Sequence, residues 1–199
     1  MHATRIVHFP LIKHWNCLPF IIDHPGQKVQ IDIKYVPYHC ILWNSYGKRY
    51  YQITSIDEYS RKRVCQIVDE KSVTHTATFL LDLEEQFGFK IETIQTDNGT
   101  EFTNRGLSLD TLSVFEEVLV AKGIDHKRTR PYSPWQNGIV ERSHREGSKR
   151  FYQRTFHSEE KLIAAYQRYV NRGNNIHRKQ LNFMSPNEVV EAYLKKQVA

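Results

Sequence analysis

Several features that would mark particular classes of protein are scarce or missing in this sequence. No apolar run in its 199 residues approaches the roughly 18–20 residues that a membrane-spanning helix needs, and the first fifteen residues are too interrupted for a signal peptide. Cysteine occurs three times, at Cys17, Cys40 and Cys65, without any CxxC spacing. This pattern favours reduced intracellular thiols over a disulfide framework. His14 and Cys17, followed by His39 and Cys40, match the spacing of no standard zinc finger.

The residues that are present suit one folded domain with an uneven distribution of charge. Hydrophobic residues make up 40% of the sequence and aromatic residues 12%, which is enough for a core. Between Asp69 and Glu117, eleven acidic residues accompany three basic ones, a net charge of −8. Between Lys122 and Arg154, nine basic residues accompany three acidic ones, a net charge of +6. Such a basic stretch is typical of a surface that binds phosphate backbones, and equally of a solvated helix face.

Hydrophobic periodicity predicts an α/β chain. The five predicted strands cover residues 29–36, 49–57, 62–70, 91–96 and 124–130. Short links between the first three indicate an antiparallel meander. The five predicted helices cover residues 75–89, 109–123, 139–156, 159–173 and 185–196. Gly88 and Gly123 suit the ends of the first two helices, and Ser185 followed by Pro186 suits the start of the last.

Three carboxylates occupy positions that need an explanation. In IETIQTDNGTEF (91–102), Asp97 lies between the fourth strand and an Asn-Gly turn, at the strand end where α/β sheets usually bind ligands. Asp32 interrupts the first strand, VQIDIKY, although aspartate disfavours strand interiors. Glu141 follows the loop PYSPWQNG in the first turn of the long helix, where the helix dipole alone also favours an acidic residue.

The element order, with three strands before the first crossover, resembles the ribonuclease H-like fold. Asp32, Asp97 and Glu141 resemble the D, D, E triad of the integrase catalytic core shared by retroviral integrases and bacterial insertion-sequence transposases. The resemblance covers residues 28–155, and the segments SIDEYSR (55–61) and LNFMSPNEV (181–189) are similar to the bacterial branch. It implies a five-stranded mixed sheet flanked by helices, followed by a C-terminal helical extension.

The resemblance implies metal-dependent cleavage and strand transfer of DNA. Such a reaction builds charge on the attacking and leaving oxygens, which two divalent cations stabilise while they lower the pKa of the attacking water. Mg²⁺ and Mn²⁺ prefer oxygen ligands, so a few carboxylates suffice. By the resemblance, Asp32 is expected to bridge both ions, and Asp97 and Glu141 are expected to complete one metal site each.

The resemblance also implies DNA contacts along the basic stretch. Arg145 and Lys149 lie four and eight residues after Glu141 on one helix face, although Ser148 occupies the position that is often basic in relatives. Trp135 suits either a DNA contact or a place in the core. The other residues expected to contact DNA are Arg142, Gln136, Asn137, Lys127 and Arg130.

Other polar residues near the triad have simpler expected roles. Asp57 ends a strand before the link EYSR and is expected to form the turn. Glu101 is expected to face solvent or to lie beside the site. His126 and His144 are assigned no necessary role, because the expected metal ligands are oxygens. Forty-three residues lie between Asp97 and Glu141, more than in retroviral relatives, and the extra length is expected within residues 103–118.

We expect three regions: an N-terminal arm or linker at 1–27, the catalytic core at 28–155 and the helical extension at 156–199. The 31 residues before Asp32 contain no helix-turn-helix or zinc pattern, which indicates a core fragment or a truncated remnant. The expected partners are double-stranded DNA and further copies in a homodimer or larger multimer, with no membrane. The expected location is the bacterial cytoplasm. The alternatives are a catalytically inactive DNA-binding remnant of a transposase and a ribonuclease H-like nuclease.

Overall fold

One mixed five-stranded sheet organises the protein. The computed structural model describes residues 22–104, 111–130 and 133–198, so most of the predicted N-terminal arm lies outside the described residues. The strands are β1 (Val29–Tyr35), β2 (Tyr51–Asp57), β3 (Arg63–Val68), β4 (Thr93–Thr96) and β5 (Asp125–Arg128). Their order is β3-β2-β1-β4-β5. The first three form the predicted antiparallel meander, while β4 pairs in parallel with both β1 and β5.

Within the described residues, six α-helices accompany the sheet. They are α1 (Val73–Leu81), α2 (Leu83–Phe87), α3 (Val114–Lys122), α4 (Gly138–Arg150), α5 (Glu159–Asn174) and α6 (Pro186–Val198). The helix predicted at 75–89 is divided at Asp82, and the predicted ends at Gly88 and Gly123 are confirmed, with φ of 79° and 68°. None of the helices among the described residues is long and apolar enough to cross a membrane.

Helix α4 ends earlier than its periodicity predicts, at Arg150 rather than residue 156. Phe151 and Tyr152 turn into a buried aromatic cluster, and the chain then becomes extended. Phe156 pairs with the segment before β2: its N–H donates to the Cys40 carbonyl at 2.7 Å, and its carbonyl accepts from the Leu42 N–H at 2.9 Å. Phe151, Tyr152 and Phe156 extend the helical spacing of apolar residues past Arg150, which is why the sequence predicts a longer helix. In the structure these residues are buried by the chain that follows the helix.

Side-chain caps fix where two helices begin. Ser113 and Glu116 form a reciprocal capping box at α3. At α6, the Ser185 hydroxyl accepts from the Glu188 N–H at 3.3 Å, and the Ser185 N–H donates to the Glu188 carboxylate at 2.7 Å. The predicted start of the last helix is therefore confirmed, and each cap contributes roughly 0.5–2 kcal/mol of stability.

The two faces of the sheet are covered differently. Val29 and Ile31 of β1 point into an apolar cluster with α1, α2 and α3, in which Leu80 and Phe115 are fully buried. The opposite face of β1 meets α4 through hydrogen bonds: Gln30 accepts from the Val140 N–H at 3.1 Å, and the Lys34 ammonium donates to the Ser148 hydroxyl at 2.8 Å. The side chains of β1 alternate between the two faces, and Asp32 belongs to the polar face toward α4.

The C-terminal helices pack against the same sheet. Leu162, Tyr166 and Val170 of α5 share a buried cluster with Ile67 of β3, and Val190 of α6 joins the apolar cluster on the opposite face. Each fully buried side chain of this size contributes roughly 1.5–3 kcal/mol. Residues 156–198 thus share their hydrophobic clusters with the core, and the predicted domain boundary at residue 155 stays a prediction.

Candidate active site

Two aspartates lie on neighbouring strands at the centre of the sheet. Asp32 is in the middle of β1, opposite Thr54 of β2, and Asp97 follows directly after β4, the parallel neighbour of β1. The Asp32 side chain is 20% exposed, and its Oδ1 accepts from the Ile33 N–H at 2.8 Å. The Asp97 Oδ1 accepts from the Gly99 N–H at 2.9 Å, which closes the turn after the strand.

Asp97 occupies an environment that disfavours its charge. Burial raises the pKa of Asp97 above its ordinary value, and the hydrogen bond from Gly99 opposes this rise. The negative charges of Asp32 and Glu101 raise the pKa further, whereas the charge of Lys71 lowers it. Asp32 and Asp97 are therefore close enough for their carboxylates to repel each other.

Glu101 is a buried neighbour of this pair. Its side chain is 3% exposed, so the expectation that it faces solvent is wrong and its place beside the site is the correct alternative. The Glu101 carboxylate forms an ion pair with the Lys71 ammonium at 2.7 Å. The backbone carbonyl of Glu101 accepts a hydrogen bond from the Thr76 hydroxyl at 2.6 Å. These contacts fix the turn that follows Asp97 onto the start of α1.

His144 of α4 touches Asp32 directly, which sequence analysis did not anticipate. Its Nδ1 lies 3.4 Å from the Asp32 Oδ2, and its Nε2 lies 3.0 Å from the Thr54 hydroxyl. The histidine is buried between the sheet and the helix. A signal was present in the sequence: His144 lies four residues after the apolar Val140, and residues four apart share a helix face.

Glu141 lies in the first turn of α4 and is exposed. Among residues 22–104, 111–130 and 133–198, no group of three or more His, Cys, Asp or Glu side chains is arranged to hold a metal ion. The structure places Asp32 and Asp97 beside each other, and within the described residues Glu141 contacts neither of them, so its place in the site stays a prediction. The chemistry of the aspartate pair fits a hard divalent cation, because two repelling carboxylates present oxygen ligands and excess negative charge.

The turn before α4 is tied to the parallel strands β1 and β4. Gln30 of β1 and Gln95 of β4 both donate to the Gln136 carbonyl, at 3.0 and 2.7 Å. Gln95 also donates to the Asn137 Oδ1 at 2.9 Å, and Asn137 is only 5% exposed. Trp135 is 73% exposed, so the alternative that it lies in the core is wrong.

The other residues expected to contact DNA lie on the surface. Arg142, Arg145 and Lys149 are exposed along α4, and Lys127 and Arg130 are exposed at and just after β5. The Arg130 N–H donates to the Gln136 Oε1 at 2.8 Å, which joins the end of β5 to the same turn. Their DNA contacts, and those of Gln136 and Asn137, stay predictions.

The simpler roles assigned to Asp57 and to the cysteines agree with the structure. Asp57 is fully buried and accepts from the N–H groups of Gly26 and Ser60, at 2.9 and 2.7 Å, and from the Ser60 hydroxyl at 2.6 Å. Asp57 therefore forms the turn, and both of its carboxylate oxygens already accept hydrogen bonds. Cys40 and Cys65 are free thiols, and Cys17 lies outside the described residues.

Comparisons with known proteins show what the chain as a whole is similar to. Two sequence models described as integrase core domain match residues 22–134 and 122–186. The integrase-named ORF3 protein of Spiroplasma virus SpV1-C74 is 32% identical over 175 residues, which is 79% of this chain and 46% of that protein. A retrovirus-related Pol polyprotein from transposon TNT 1-94 of Nicotiana tabacum is 34% identical over 103 residues, which is 51% of this chain and 7% of the polyprotein. The chain thus spans less than half the length of either relative.

Solved structures share the fold. The catalytic core domain of BIV integrase superposes with a TM-score of 0.58 at 22% identity, covering 86% of this chain and 96% of that one. A chain of a simian T-cell lymphotropic virus intasome superposes with a TM-score of 0.59 at 17% identity, covering 83% of this chain and 54% of that one. The predicted ribonuclease H-like fold is confirmed by these likenesses.

Proposed function

Because the chain belongs to the integrase core domain family, we propose that it is the catalytic core of an integrase or transposase that cleaves and transfers DNA strands. The observation that carries this proposal is the pair formed by Asp32 and Asp97 at the junction of two parallel strands. The pair lies where open α/β sheets bind their ligands, and its charge is left without a full counter-charge. The family is one of polynucleotidyl transferase-type enzymes.

Asp32 and Asp97 are proposed to hold divalent metal, with Glu141 as the third ligand. A bound pair of Mg²⁺ or Mn²⁺ ions would supply positive charge to the reacting phosphate and lower the pKa of the attacking water. Burial and the charges of Asp32 and Glu101 raise the pKa of Asp97 and a bound cation would lower it, so binding of a cation and ionisation of Asp97 support each other. His144 holds Asp32 from the side of α4 and keeps its Oδ2 oriented.

The proposed substrate is double-stranded DNA, approached along α4. Arg142, Arg145 and Lys149 are exposed on this helix and carry the positive charge that phosphate backbones require. Phosphate contacts of this kind position DNA without selecting its sequence. We further propose that the protein acts in the bacterial cytoplasm, which the likeness of SIDEYSR and LNFMSPNEV to the bacterial branch supports.

A multimer is part of the proposal, because two DNA ends must be held at once. Leu81 of α1 and Val114 and Val120 of α3 are exposed apolar side chains on helices away from α4. They suit a contact between copies that leaves the aspartates accessible. Sedimentation analysis should reveal dimers as the protein concentration rises, and a monomer at every concentration would contradict this part of the proposal.

The experiment that tests the function is nicking of supercoiled plasmid DNA in Mn²⁺. Asp32→Asn and Asp97→Asn should each reduce the rate by roughly a hundredfold or more, because loss of a few kcal/mol of charge stabilisation slows a reaction tenfold per 1.36 kcal/mol. Asp125→Asn, an exposed aspartate on β5, is the matched control and should retain the rate. Equal rates in all three variants would refute the assignment of the site.

A further inference from the structure

A continuous set of buried hydrogen bonds connects Asp32 to the aromatic cluster beyond the end of α4. From His144, which contacts Asp32, the connection continues to the Thr54 hydroxyl at 3.0 Å. The Thr54 Oγ1 accepts from the Gln52 Nε2 at 2.6 Å, and the Gln52 Oε1 accepts from the Tyr152 hydroxyl at 2.8 Å. Thr54, Gln52 and Tyr152 are each no more than 2% exposed. We call His144, Thr54, Gln52 and Tyr152 the buried network.

The pairing of β1 with β2 explains why these polar side chains meet. Asp32 lies opposite Thr54 in the antiparallel pair, and Lys34 lies opposite Gln52. Cross-strand partners point to the same face of a sheet, and here that face lies under α4. Buried polar groups need partners, and a fully bonded network holds its members in one arrangement. The hydrogen atoms of the buried network therefore have a specific orientation.

The direction of donation follows from the Tyr152 end of the network. Burial raises the pKa of the Tyr152 hydroxyl, so this group keeps its hydrogen and donates it to the Gln52 Oε1. The amide N–H of Gln52 then points to Thr54, and the Thr54 hydroxyl directs its own hydrogen to the His144 Nε2. A neutral imidazole carries one hydrogen on its two nitrogens. That hydrogen is therefore on Nδ1, which faces the Asp32 Oδ2 at 3.4 Å.

The opposite direction of donation is unfavourable at both ends. It would place the Gln52 N–H against the Tyr152 oxygen and remove the acceptor of the Tyr152 hydrogen. It would also put the hydrogen of His144 on Nε2 and turn the Nδ1 lone pair toward the Asp32 carboxylate, which is repulsive. The Cys65 thiol on β3 borders the network, but burial raises the pKa of this thiol, and a neutral thiol is only a weak hydrogen-bond partner. Both ends thus favour the Nδ1–H tautomer of His144.

Tyr152 itself is held from several sides. Its ring stacks on that of Tyr166 in α5, with 6.0 Å between the ring centres. Its carbonyl accepts from the His39 Nε2 at 2.7 Å. The Lys34 ammonium lies 4.7 Å from the centre of the Tyr152 ring and donates to the His144 carbonyl at 3.2 Å. The position of the Tyr152 hydroxyl is therefore fixed by elements that do not carry the aspartates as well as by β1.

We propose that Tyr152 determines the tautomer of His144 and thereby positions the Asp32 carboxylate for a metal ion. Tyr152 acts through Gln52 and Thr54 and is a positioning residue. The N–H groups of His144 and Ile33 then face one Asp32 oxygen each, Oδ2 and Oδ1, which fixes the carboxylate plane and leaves a lone pair of each oxygen for a cation. This inference rests on the proposed function for the role of Asp32 as a metal ligand.

The tautomer is tested in the metal-free protein. Tyr152→Phe removes the hydroxyl and keeps the ring, so the Gln52 amide can turn and both tautomers of His144 should appear. Tyr50→Phe is the matched control, because Tyr50 is a tyrosine of the same cluster, 2% exposed, whose hydroxyl donates to Glu159 outside the network. The ¹⁵N chemical shifts of the imidazole are recorded at about pH 8.5, above the usual range of imidazole titration. Wild type and control should carry the hydrogen on Nδ1.

The consequence for Asp32 is tested by the affinity for Mn²⁺ in calorimetry. Tyr152→Phe should bind more weakly in proportion to the fraction of protein that keeps the donating tautomer, about twofold if the two tautomers are equally populated. His144→Leu removes the donor and should bind Mn²⁺ roughly tenfold to a hundredfold more weakly. His144→Asn keeps an N–H toward Asp32 and should recover most of that loss. Its spectrum also identifies the His144 signals by their absence, and thermal melting checks that every variant folds.

Three results would overturn the proposal. They are a hydrogen on Nε2 of His144 in the wild type, an unchanged His144 spectrum in Tyr152→Phe, and equal Mn²⁺ affinities of His144→Leu and the wild type. Failure of the proposed function has a different signature. A wild type that binds no Mn²⁺, although its His144 spectrum responds to Tyr152→Phe, would refute the proposed metal site while the control of the tautomer by Tyr152 stands.

Discussion

Replacement of Asp97 by asparagine should make the protein more stable than the wild type when metal is absent. When metal is present, the variant should be the less stable of the two. In the metal-free protein, burial raises the pKa of Asp97, and the charges of Asp32 and Glu101 add to this effect. The folded state then binds more protons than the unfolded state between the two pKa values, so stability falls as the pH rises through that interval. Asp97→Asn removes this loss and keeps an acceptor for the Gly99 N–H, and we expect a higher melting temperature than that of the wild type at neutral pH in EDTA.

With metal the wild type should become the more stable of the two proteins, because it gains more stability from metal binding than Asp97→Asn does. At a free Mn²⁺ concentration a hundredfold above the dissociation constant, binding stabilises the folded state by about 2.7 kcal/mol. For a domain of this size that gain corresponds to a rise of roughly 5–11 °C in melting temperature. The wild type and the control Asp125→Asn should show this rise in scanning calorimetry, and Asp97→Asn should lose most of it. If Asp97→Asn gains as much as the wild type from Mn²⁺, Asp97 is not a metal ligand.

Two further predictions concern contacts away from the aspartates. A Cβ at residue 173 would lie 2.1 Å from the Arg63 Nη2. Gly173→Ala should therefore displace this buried arginine and lower the free energy of unfolding, measured with denaturant, by roughly 1–3 kcal/mol. Unchanged stability would show that Arg63 can move at no cost. The hydrogen bond with Asp23 raises the pKa of His24, against the effect of burial, and Glu92 adds to the rise. The resulting stability is complete below the unfolded pKa and disappears as the pH rises through the folded pKa, so His24→Gln should melt below the wild type at about pH 5.5 and level with it at about pH 9.

Local sequence patterns predicted the sheet because each strand carries its own signal. The alternation of Val29 and Ile31 with Gln30 and Asp32 identified both faces of β1, and Gly123 marked the end of α3 through its positive φ. The end of α4 could not be predicted in this way. It depends on pairing between residue 156 and the distant residues 40 and 42, which no local period contains.

The residues of the candidate site differ in the same way: some could be predicted from the sequence, and others depend on contacts between distant residues. The grouping of Asp32 with Asp97 was implied by the resemblance, and in the structure the parallel pairing of β1 with β4 places them side by side. Burial of Glu101 depends on Lys71, thirty residues earlier, and the contact of His144 depends on the neighbouring strand. The cleft between α4 and α5, whose charged lining is mainly arginine, could not be predicted for a similar reason. The basic window at 122–154 covers one of its walls, whereas the others come from residues 61–63 and 172–179.

The hydrogen bonds beneath the first turn of α4 determine how the third carboxylate can move. Gln30 and Gln95 hold the Gln136 carbonyl from two strands at once, so the backbone that carries Glu141 shares the rigidity of the sheet. The proposed binding of metal by Glu141 would order a side chain that is exposed in the metal-free protein. Ordering such a side chain costs up to about 1.5–2 kcal/mol of conformational entropy. In the proposed metal site this cost would fall on one glutamate side chain, while the turn before α4 is already ordered and would add none.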